Sequence, residues 1–225
     1  MRDCGRNSAA AIPMITRNAV EASRLFLAPV LADAACVVDA TAGNGNDSLY
    51  LCKKTKPECR IWTFDIQAAA IAASGKLFAQ HGFTEKVRLI QADHALLREV
   101  IREPVDAAIF NLGYLPGHDH SVTTRVESLA PALEALRDLL ALGGRIAIVA
   151  YPGHPPGRLE TEFLEEYLPR WPQQVFTITR LSYINQKNNP AILYSIGKTG
   201  RKQHENTSPD QSKGNRGATG DPNPG

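Results

Sequence analysis

The feature that most constrains this chain is an alternation of short apolar segments, typical of buried strands, with longer segments typical of helices. Strands are predicted over 36–40, 60–65, 87–91, 105–110 and 145–150. Helices are predicted over 18–31, from about Asp47, and over 68–81, 95–102 and 126–140, the last ended by Gly143-Gly144. Strands and helices that alternate at this spacing form right-handed βαβ units. The sequence therefore predicts an α/β fold of the Rossmann-like type, with a mostly parallel, doubly wound sheet.

The C-terminal third departs from this alternation. After a helix predicted over 160–168, the segments 175–181 and 192–196 are predicted to form an antiparallel hairpin that closes the sheet edge. Beyond it, residues 201–225 contain no large apolar side chain, so they cannot bury enough surface to offset chain entropy. We therefore predict a loose leader over 1–17, one domain over 18–197 and a disordered polar tail over 198–225.

Composition narrows the class of protein. Hydrophobic residues make up 43% of the 225, and no apolar run reaches the about 20 residues that span a bilayer, so we expect no membrane contact. A net charge of +2 does not mark a nucleic-acid-binding protein by itself, although a local basic face stays possible. The four cysteines form no closely spaced pair, which predicts no metal site and a reduced, cytoplasmic location.

The first candidate site is the turn between the first predicted strand and its helix. It runs from Asp39 through Thr41 to Gly45 and is rich in glycine, which permits positive φ and close approach of a ligand. Ligands of open α/β sheets bind at the carboxyl ends of the strands. Asp47 can either cap the helix or face the ligand. Taken alone, such a turn can also be purely structural.

Two acids at later strand ends strengthen the prediction of a nucleoside site. Asp65 ends the second strand, 20 residues after Gly45, where a carboxylate can accept hydrogen bonds from ribose hydroxyls. Asp93 follows the third strand and could accept from an adenine amino group. NAD is the competing ligand, but Ser48 replaces the third glycine of the dinucleotide fingerprint, which favours S-adenosylmethionine. We assign to the cofactor site Asp39, Thr41, Ala42, Gly43, Asn44, Gly45, Asp47, Asp65, Ile66, Gln67, Asp93 and His94.

The loop after the fourth strand, 111–117, is the candidate reacting site. Its first four residues resemble the Asn/Asp-Pro-Pro-Tyr/Phe motif of amino-directed methyltransferases. The Asn111 side-chain carbonyl and the Leu112 backbone carbonyl could accept from an amine and hold its lone pair towards a sulfonium methyl. Tyr114 could stack on a base. We predict Asn111 and Tyr114 as catalytic and Leu112 and Gly113 as substrate-binding; the alternative is that Asn111 only caps the turn.

Three other polar segments are weaker candidates. His154 follows the fifth strand, so its side chain could face the pocket. The turn 185–190 is either a plain hairpin loop or an RNA contact, with Lys187 on a phosphate and Asn185 and Asn188 beside it. His118-Asp119-His120 is interpreted as a surface loop and not as a metal site.

Five strings together resemble the YtqB-like family of rRNA methylases, some of whose members are known as MnmM. They are DATAGNG (39–45), FDIQ (64–67), NLGYLPG (111–117), YPGH (151–154) and INQKNNP (184–190). The resemblance implies a class I methyltransferase fold, S-adenosylmethionine as donor and a homodimer. It also implies methylation of 5-aminomethyl-2-thiouridine at the tRNA wobble position, in the anticodon loop. The family usually carries Gly-Asp-Lys where this chain has residues 118–120, so the lysine that could contact RNA in the family has no counterpart here.

Other functions stay open at this point. An rRNA or a small-molecule amine could be the acceptor, a non-catalytic RNA-binding module could have kept the fold, and an NAD-dependent oxidoreductase would share its outline. An intact glycine turn and Asp65 count against the non-catalytic module.

Overall fold

A computed structural model of the chain describes residues 16–113 and 126–200, and these form one sheet with helices on both faces. The helices are α1 (Ala19–Leu31), α2 (Asn46–Lys54), α3 (Ala68–Gln80), α4 (Leu97–Val100), α5 (Val126–Leu139) and α6 (Pro155–Tyr167). The strands are β1 (Cys36–Asp39), β2 (Arg60–Asp65), β3 (Val87–Gln91), β4 (Val105–Asn111), β5 (Leu140–Ala150), β6 (Phe176–Leu181) and β7 (Ile192–Lys198). Short 3-10 turns, His94–Leu96 and Leu168–Arg170, precede α4 and follow α6.

The strand order confirms the predicted fold class. The sheet runs β3-β2-β1-β4-β5-β7-β6, with β1 to β5 parallel and β7 antiparallel to both of its neighbours. The predicted antiparallel hairpin is therefore present, but β7 lies inside the sheet and β6 forms the edge opposite β3. The order reverses between β1 and β4, and the crevice at such a switch point is where open α/β sheets bind ligands.

Burial explains why β1 is a near-continuous apolar run. All four of its residues are buried, and neighbours along the strand alternate between the two faces, because successive side chains of a strand point in opposite directions. Val37 belongs to the core beneath α1, α2 and α3, whereas Val38 belongs to the core beneath α4, α5 and α6. Covered on both sides, the central strands fix the positions of their carboxyl ends.

Helix α1 covers one face of the sheet ahead of the first strand. Its N-cap is Asn18, whose side chain accepts from the Glu21 N–H at 2.8 Å. The helix packs against β4, β5 and β7. Arg145 of β5 donates to the Phe26 carbonyl at 2.6 Å and its guanidinium lies 5.1 Å from the centre of the Phe26 ring. No helix within 16–113 and 126–200 is long and apolar enough to cross a membrane.

Three predicted boundaries were wrong. Helix α6 begins at Pro155, five residues before the predicted start at Glu160, because proline is favoured in the first turn and the His154 side chain accepts from the Gly157 N–H at 3.1 Å. Gly143-Gly144 does not end α5 but lies within β5, where the register with β4 shifts. The predicted helix over 95–102 is a 3-10 turn followed by the short α4. The domain limits stay predictions, since 1–15 and 201–225 lie outside the described residues.

Candidate active site

The carboxyl ends of β1 and β4 are joined directly by hydrogen bonds. The Ala40 N–H donates to the Ile109 carbonyl at 2.9 Å, and the Asn111 N–H donates to Thr41 Oγ1 at 2.7 Å. Thr41 therefore connects the glycine turn to the loop that follows β4. The two candidate regions found in the sequence meet at the switch point.

The turn between β1 and α2 requires glycine. Gly43 and Gly45 have φ of 50° and 82°, in the left-handed region that disfavours a side chain. A Cβ on Gly45 would also lie 3.0 Å from Ser74 Oγ on α3. Gly45 is the N-cap of α2 and no side chain caps the helix, so the interpretation of Asp47 as a helix cap was wrong.

Asp39, at the end of β1, stabilises this turn through hydrogen bonds. Its side chain is fully buried; one oxygen accepts from the Thr41 N–H at 3.1 Å and the other from Ser48 Oγ at 2.6 Å. Burial, together with the nearby charge of Asp47, raises the pKa of Asp39 to about 7. Asp39 thus acts on the turn itself, and its predicted contact with the cofactor remains a prediction.

Asp65 at the end of β2 is bound to the same turn. Its carboxylate accepts from the Gly43 N–H and from the Gln67 N–H, each at 2.9 Å. Each oxygen has spare lone-pair capacity for a ribose hydroxyl, because an ionised carboxylate offers about four acceptor sites. Ile66, the next residue, is 47% exposed and gives an apolar surface beside the carboxylate.

Asp93 and His94 follow β3 at the outer side of the crevice. Asp93 accepts from the Ala95 N–H at 2.9 Å and from Ser128 Oγ at 2.5 Å. His94 is buried, with its ring edge-on to Phe110 at a centroid distance of 5.6 Å. Burial lowers the pKa of His94, so its imidazole is neutral at pH 7.

Asn111 lies at the centre of a polar network. Its Nδ2 donates to Asp47 Oδ2 at 3.2 Å, and its Oδ1 accepts from the Tyr151 hydroxyl at 2.7 Å. Arg24 Nε and Nη2 both donate to the other oxygen of Asp47, at 3.0 and 2.8 Å. These four hydrogen bonds connect side chains that lie far apart in the sequence.

The rest of the predicted reacting loop is described only in part. The Leu112 N–H donates to the Val149 carbonyl at 2.8 Å and its side chain is buried, so only its backbone can serve the predicted contact. Gly113 has a φ of 139°. Tyr114, the remainder of 111–117 and the segment 118–120 lie outside the described residues.

The other substrate candidates border this network. Asn188 and Asn189 have positive φ, and their carbonyl oxygens lie in ordinary contact with Gly153, where a Cβ would be 3.6 Å from each. The turn 185–190 therefore packs against the residues that follow Tyr151. Asn185 and Lys187 are exposed on it. His154 uses Nδ1 to cap α6, which explains its position without a substrate contact.

Sequence reasoning missed two members of the network, Tyr151 and Arg24. A usable signal existed for Tyr151, which directly follows β5 as the candidate loop follows β4. Arg24 gave no such signal, because it lies on α1, far from every strand end. Among residues 16–113 and 126–200, no cluster of histidine, cysteine and carboxylate side chains could hold a metal.

The donor set at the crevice fits a sulfonium nucleoside. Asp47, Asp65 and Asp93 place carboxylates at its margins, where they can accept from hydroxyl and amino groups and attract a positive charge. Asp65 is the residue suited to the ribose, and Ile66 provides an apolar face for the base. This sheet order with this crevice defines the protein as a class I methyltransferase.

The chain belongs to the family described as "Putative rRNA methylase", whose profile matches residues 61–197. It is 32% identical to the chloroplastic tRNA (mnm(5)s(2)U34)-methyltransferase of Arabidopsis thaliana, over 79% of this chain and 69% of that protein. A "putative rRNA-methylase" from Clostridium thermocellum shares 38% identity and a TM-score of 0.80, covering 82% of this chain and 100% of the other. A "putative methyltransferase" from Streptococcus mutans, solved with SAH, shares 33% identity and a TM-score of 0.75 over 82% and 99%.

These matches confirm the predicted family, enzyme class and cofactor. The protein is an S-adenosylmethionine-dependent methyltransferase, which removes the NAD-dependent oxidoreductase from the alternatives.

Proposed function

We propose that this enzyme methylates the 5-aminomethyl nitrogen of 5-aminomethyl-2-thiouridine at the wobble position of tRNA. The observation that carries the proposal is the Asn111 amide at the end of β4, held by partners on both its nitrogen and its oxygen at the edge of the cofactor crevice. The relative from A. thaliana, which is named for this tRNA position, supports the same acceptor.

The chemistry assigned to the chain is orientation of the amine. Asn111 Oδ1 and the Leu112 carbonyl accept from the two N–H groups of the neutral amine, which leaves its lone pair directed at the methyl donor. Bound S-adenosylmethionine supplies an electrophilic methyl group and leaves as S-adenosylhomocysteine. The amine nitrogen forms the new C–N bond while the C–S bond breaks, and the product ammonium then loses a proton to solvent. Positioning and electrostatics supply most of the rate in such a displacement.

The surface around Asn111 suits an RNA. The turn 185–190 packs beside the residues after Tyr151, and it exposes Lys187, a cation suited to a phosphate. Gln186 donates to the Arg17 carbonyl at 3.0 Å, so Arg17 adds an exposed positive charge next to this turn. Tyr114 remains the candidate for base stacking.

The test uses the purified full chain with labelled S-adenosylmethionine. Three RNAs are compared: tRNA that carries 5-aminomethyl-2-thiouridine, the same tRNA without the aminomethyl group, and ribosomal RNA. We expect label only in the first, as 5-methylaminomethyl-2-thiouridine in the nucleoside mass spectrum. The family description favours rRNA as the second candidate acceptor. Label in rRNA and none in either tRNA would therefore overturn the proposal.

A further inference from the structure

The side-chain amide of Asn111 is hydrogen-bonded at both its nitrogen and its oxygen. Its Nδ2 faces Asp47 Oδ2, which can only accept, and its Oδ1 faces the Tyr151 hydroxyl at 2.7 Å. Burial, with the charge of Asp47 nearby, raises the pKa of Tyr151 to about 12, so this hydroxyl keeps its proton at neutral pH. If the amide were inverted, Oδ1 would face the Asp47 carboxylate, and the hydrogen bond between Asn111 and Asp47 would be lost.

Asp47 is itself held from the other side. Arg24 Nε and Nη2 both donate to Asp47 Oδ1, which leaves Oδ2 directed at Asn111. The Asp47 side chain is only 8% exposed, and the Arg24 side chain is 33% exposed. Arg24 also lies over the Tyr50 ring at 5.2 Å, and the Tyr50 hydroxyl donates to the Arg24 carbonyl at 3.0 Å. Tyr50 thus contacts both the guanidinium and the backbone of Arg24 and helps to hold the guanidinium beside Asp47.

We infer that Tyr151 and Asp47, with Arg24 behind Asp47, are positioning residues that lock the Asn111 amide in one orientation. In this orientation one lone pair of Oδ1 accepts the hydrogen bond from the Tyr151 hydroxyl, and the other stays available for the amine. The inference rests on the proposed function for its kinetic consequence, but the locked amide is a property of the protein alone. The three residues act through Asn111 and need not contact the substrate.

The kinetic test compares two Tyr→Phe substitutions. Tyr151→Phe removes the hydroxyl that donates to Asn111, and Tyr194→Phe is the matched control. The Tyr194 hydroxyl donates to Glu165 at 3.1 Å, and burial likewise raises its pKa to about 12, but it lies on β7 away from the crevice.

We expect kcat on the aminomethyl tRNA to fall at least tenfold in Tyr151→Phe, with the Kd for S-adenosylhomocysteine within twofold of wild type. Tyr194→Phe should keep wild-type kcat. Equal kcat in both variants would overturn the inference.

A second measurement works without any RNA. In protein labelled with ¹⁵N-asparagine, the Nδ2 protons of Asn111 are identified by their loss in Asn111→Asp. We expect these protons to exchange with water at least tenfold faster in Tyr151→Phe and in Asp47→Asn than in wild type or Tyr194→Phe. Asp47→Asn presents an amide nitrogen to Asn111 and so favours the inverted orientation. Unchanged exchange in both variants would overturn the inference.

The two measurements separate the two proposals. If the wild-type enzyme leaves the tRNA unmethylated, the proposed function fails, and the exchange rates alone decide whether the amide is locked. If the tRNA is methylated but exchange and kcat are insensitive to Tyr151→Phe, only the positioning inference fails.

Discussion

The two halves of the crevice are built in different ways. On the side of β1 and β2, the carboxylates of Asp39 and Asp65 bond mainly to backbone N–H groups of the turns that adjoin them. On the side of β4 and β5, the Asn111 side chain bonds to the side chains of Tyr151 after β5 and of Asp47, which reaches across from α2. The first half offers a fixed backbone surface, which we propose as the binding surface for the cofactor. The second half fixes the direction of one amide, so we expect it to govern the methyl transfer more than the binding of the donor.

The largest effect is expected from Asn111→Ala. Loss of the acceptor that orients the amine should lower kcat by about 10²–10³-fold, the range seen when one preorganised transition-state hydrogen bond is removed. The Kd for S-adenosylhomocysteine should change by less than about threefold, since the amide is not assigned to the cofactor. Steady-state kinetics and calorimetry measure the two quantities. Wild-type turnover in this variant would remove Asn111 from the mechanism.

Asp65→Ala should have the opposite profile. The carboxylate accepts from the Gly43 N–H and is proposed to accept from the ribose, so its loss should weaken S-adenosylhomocysteine binding by about 10–100-fold, as expected for charge-assisted hydrogen bonds. At saturating donor, kcat should stay within about threefold of wild type. Asp33→Ala, at an exposed position just after α1, is the control. If Asp65→Ala lowered kcat and left Kd unchanged, the division between the two halves would be wrong.

Asp39 makes the stability of the first half depend on pH. Because its pKa is raised to about 7 in the folded protein, from an ordinary value near 3.8, the folded state binds more protons between these values. The free energy of unfolding should therefore rise as pH falls from 8 to 5.5, by about 2 kcal/mol from this group. Asp39→Asn, which mimics the neutral acid, should lose that part of the dependence. Denaturant unfolding at the two pH values, without cofactor, measures it; identical pH dependence in both proteins would contradict the assignment.

The smallest effect is expected when alanine replaces Gly45 or Gly82. Comparing the two variants separates the cost of a positive φ from the cost of a close packing contact. Gly45 and Gly82 both have positive φ, 82° and 73°, but a Cβ on Gly45 would meet Ser74 whereas one on Gly82 meets nothing within 4 Å. Each alanine substitution should lower the free energy of unfolding by about 1–2 kcal/mol, because the Cβ disfavours the left-handed backbone conformation. Gly45→Ala should lose more and should also weaken cofactor binding. Equal melting temperatures for the two variants would show that the approach of α3 to the turn is not constraining.

The same division explains what the sequence could predict. The elements around β1 and β2 follow from local signals: acids at strand ends, glycines in the turn between them and helices at regular spacing. The contacts of Asn111 with Asp47 and Tyr151 join residues 64 and 40 positions apart, which no local pattern reveals. Asp47 was assigned to the cofactor site, but its partners in the structure are Arg24 and Asn111. Arg24 was missed because its role depends on how α1 packs against the sheet. The predicted start of α6 at Glu160 was five residues late, because the prediction did not use the preference of proline for the first turn of a helix.

Helix α1 stands outside the βαβ repeat, yet Arg145 of β5 holds it in place. Arg145 donates to the Phe26 carbonyl and places its guanidinium over the Phe26 ring. Leu27 and Leu31 of this helix are fully buried in the core on its face of the sheet. A sheet of the same order without this helix would leave that core uncovered and would lack the guanidinium that faces Asp47. Transferring this active site to such a sheet would therefore require carrying over α1 together with Arg145 of β5.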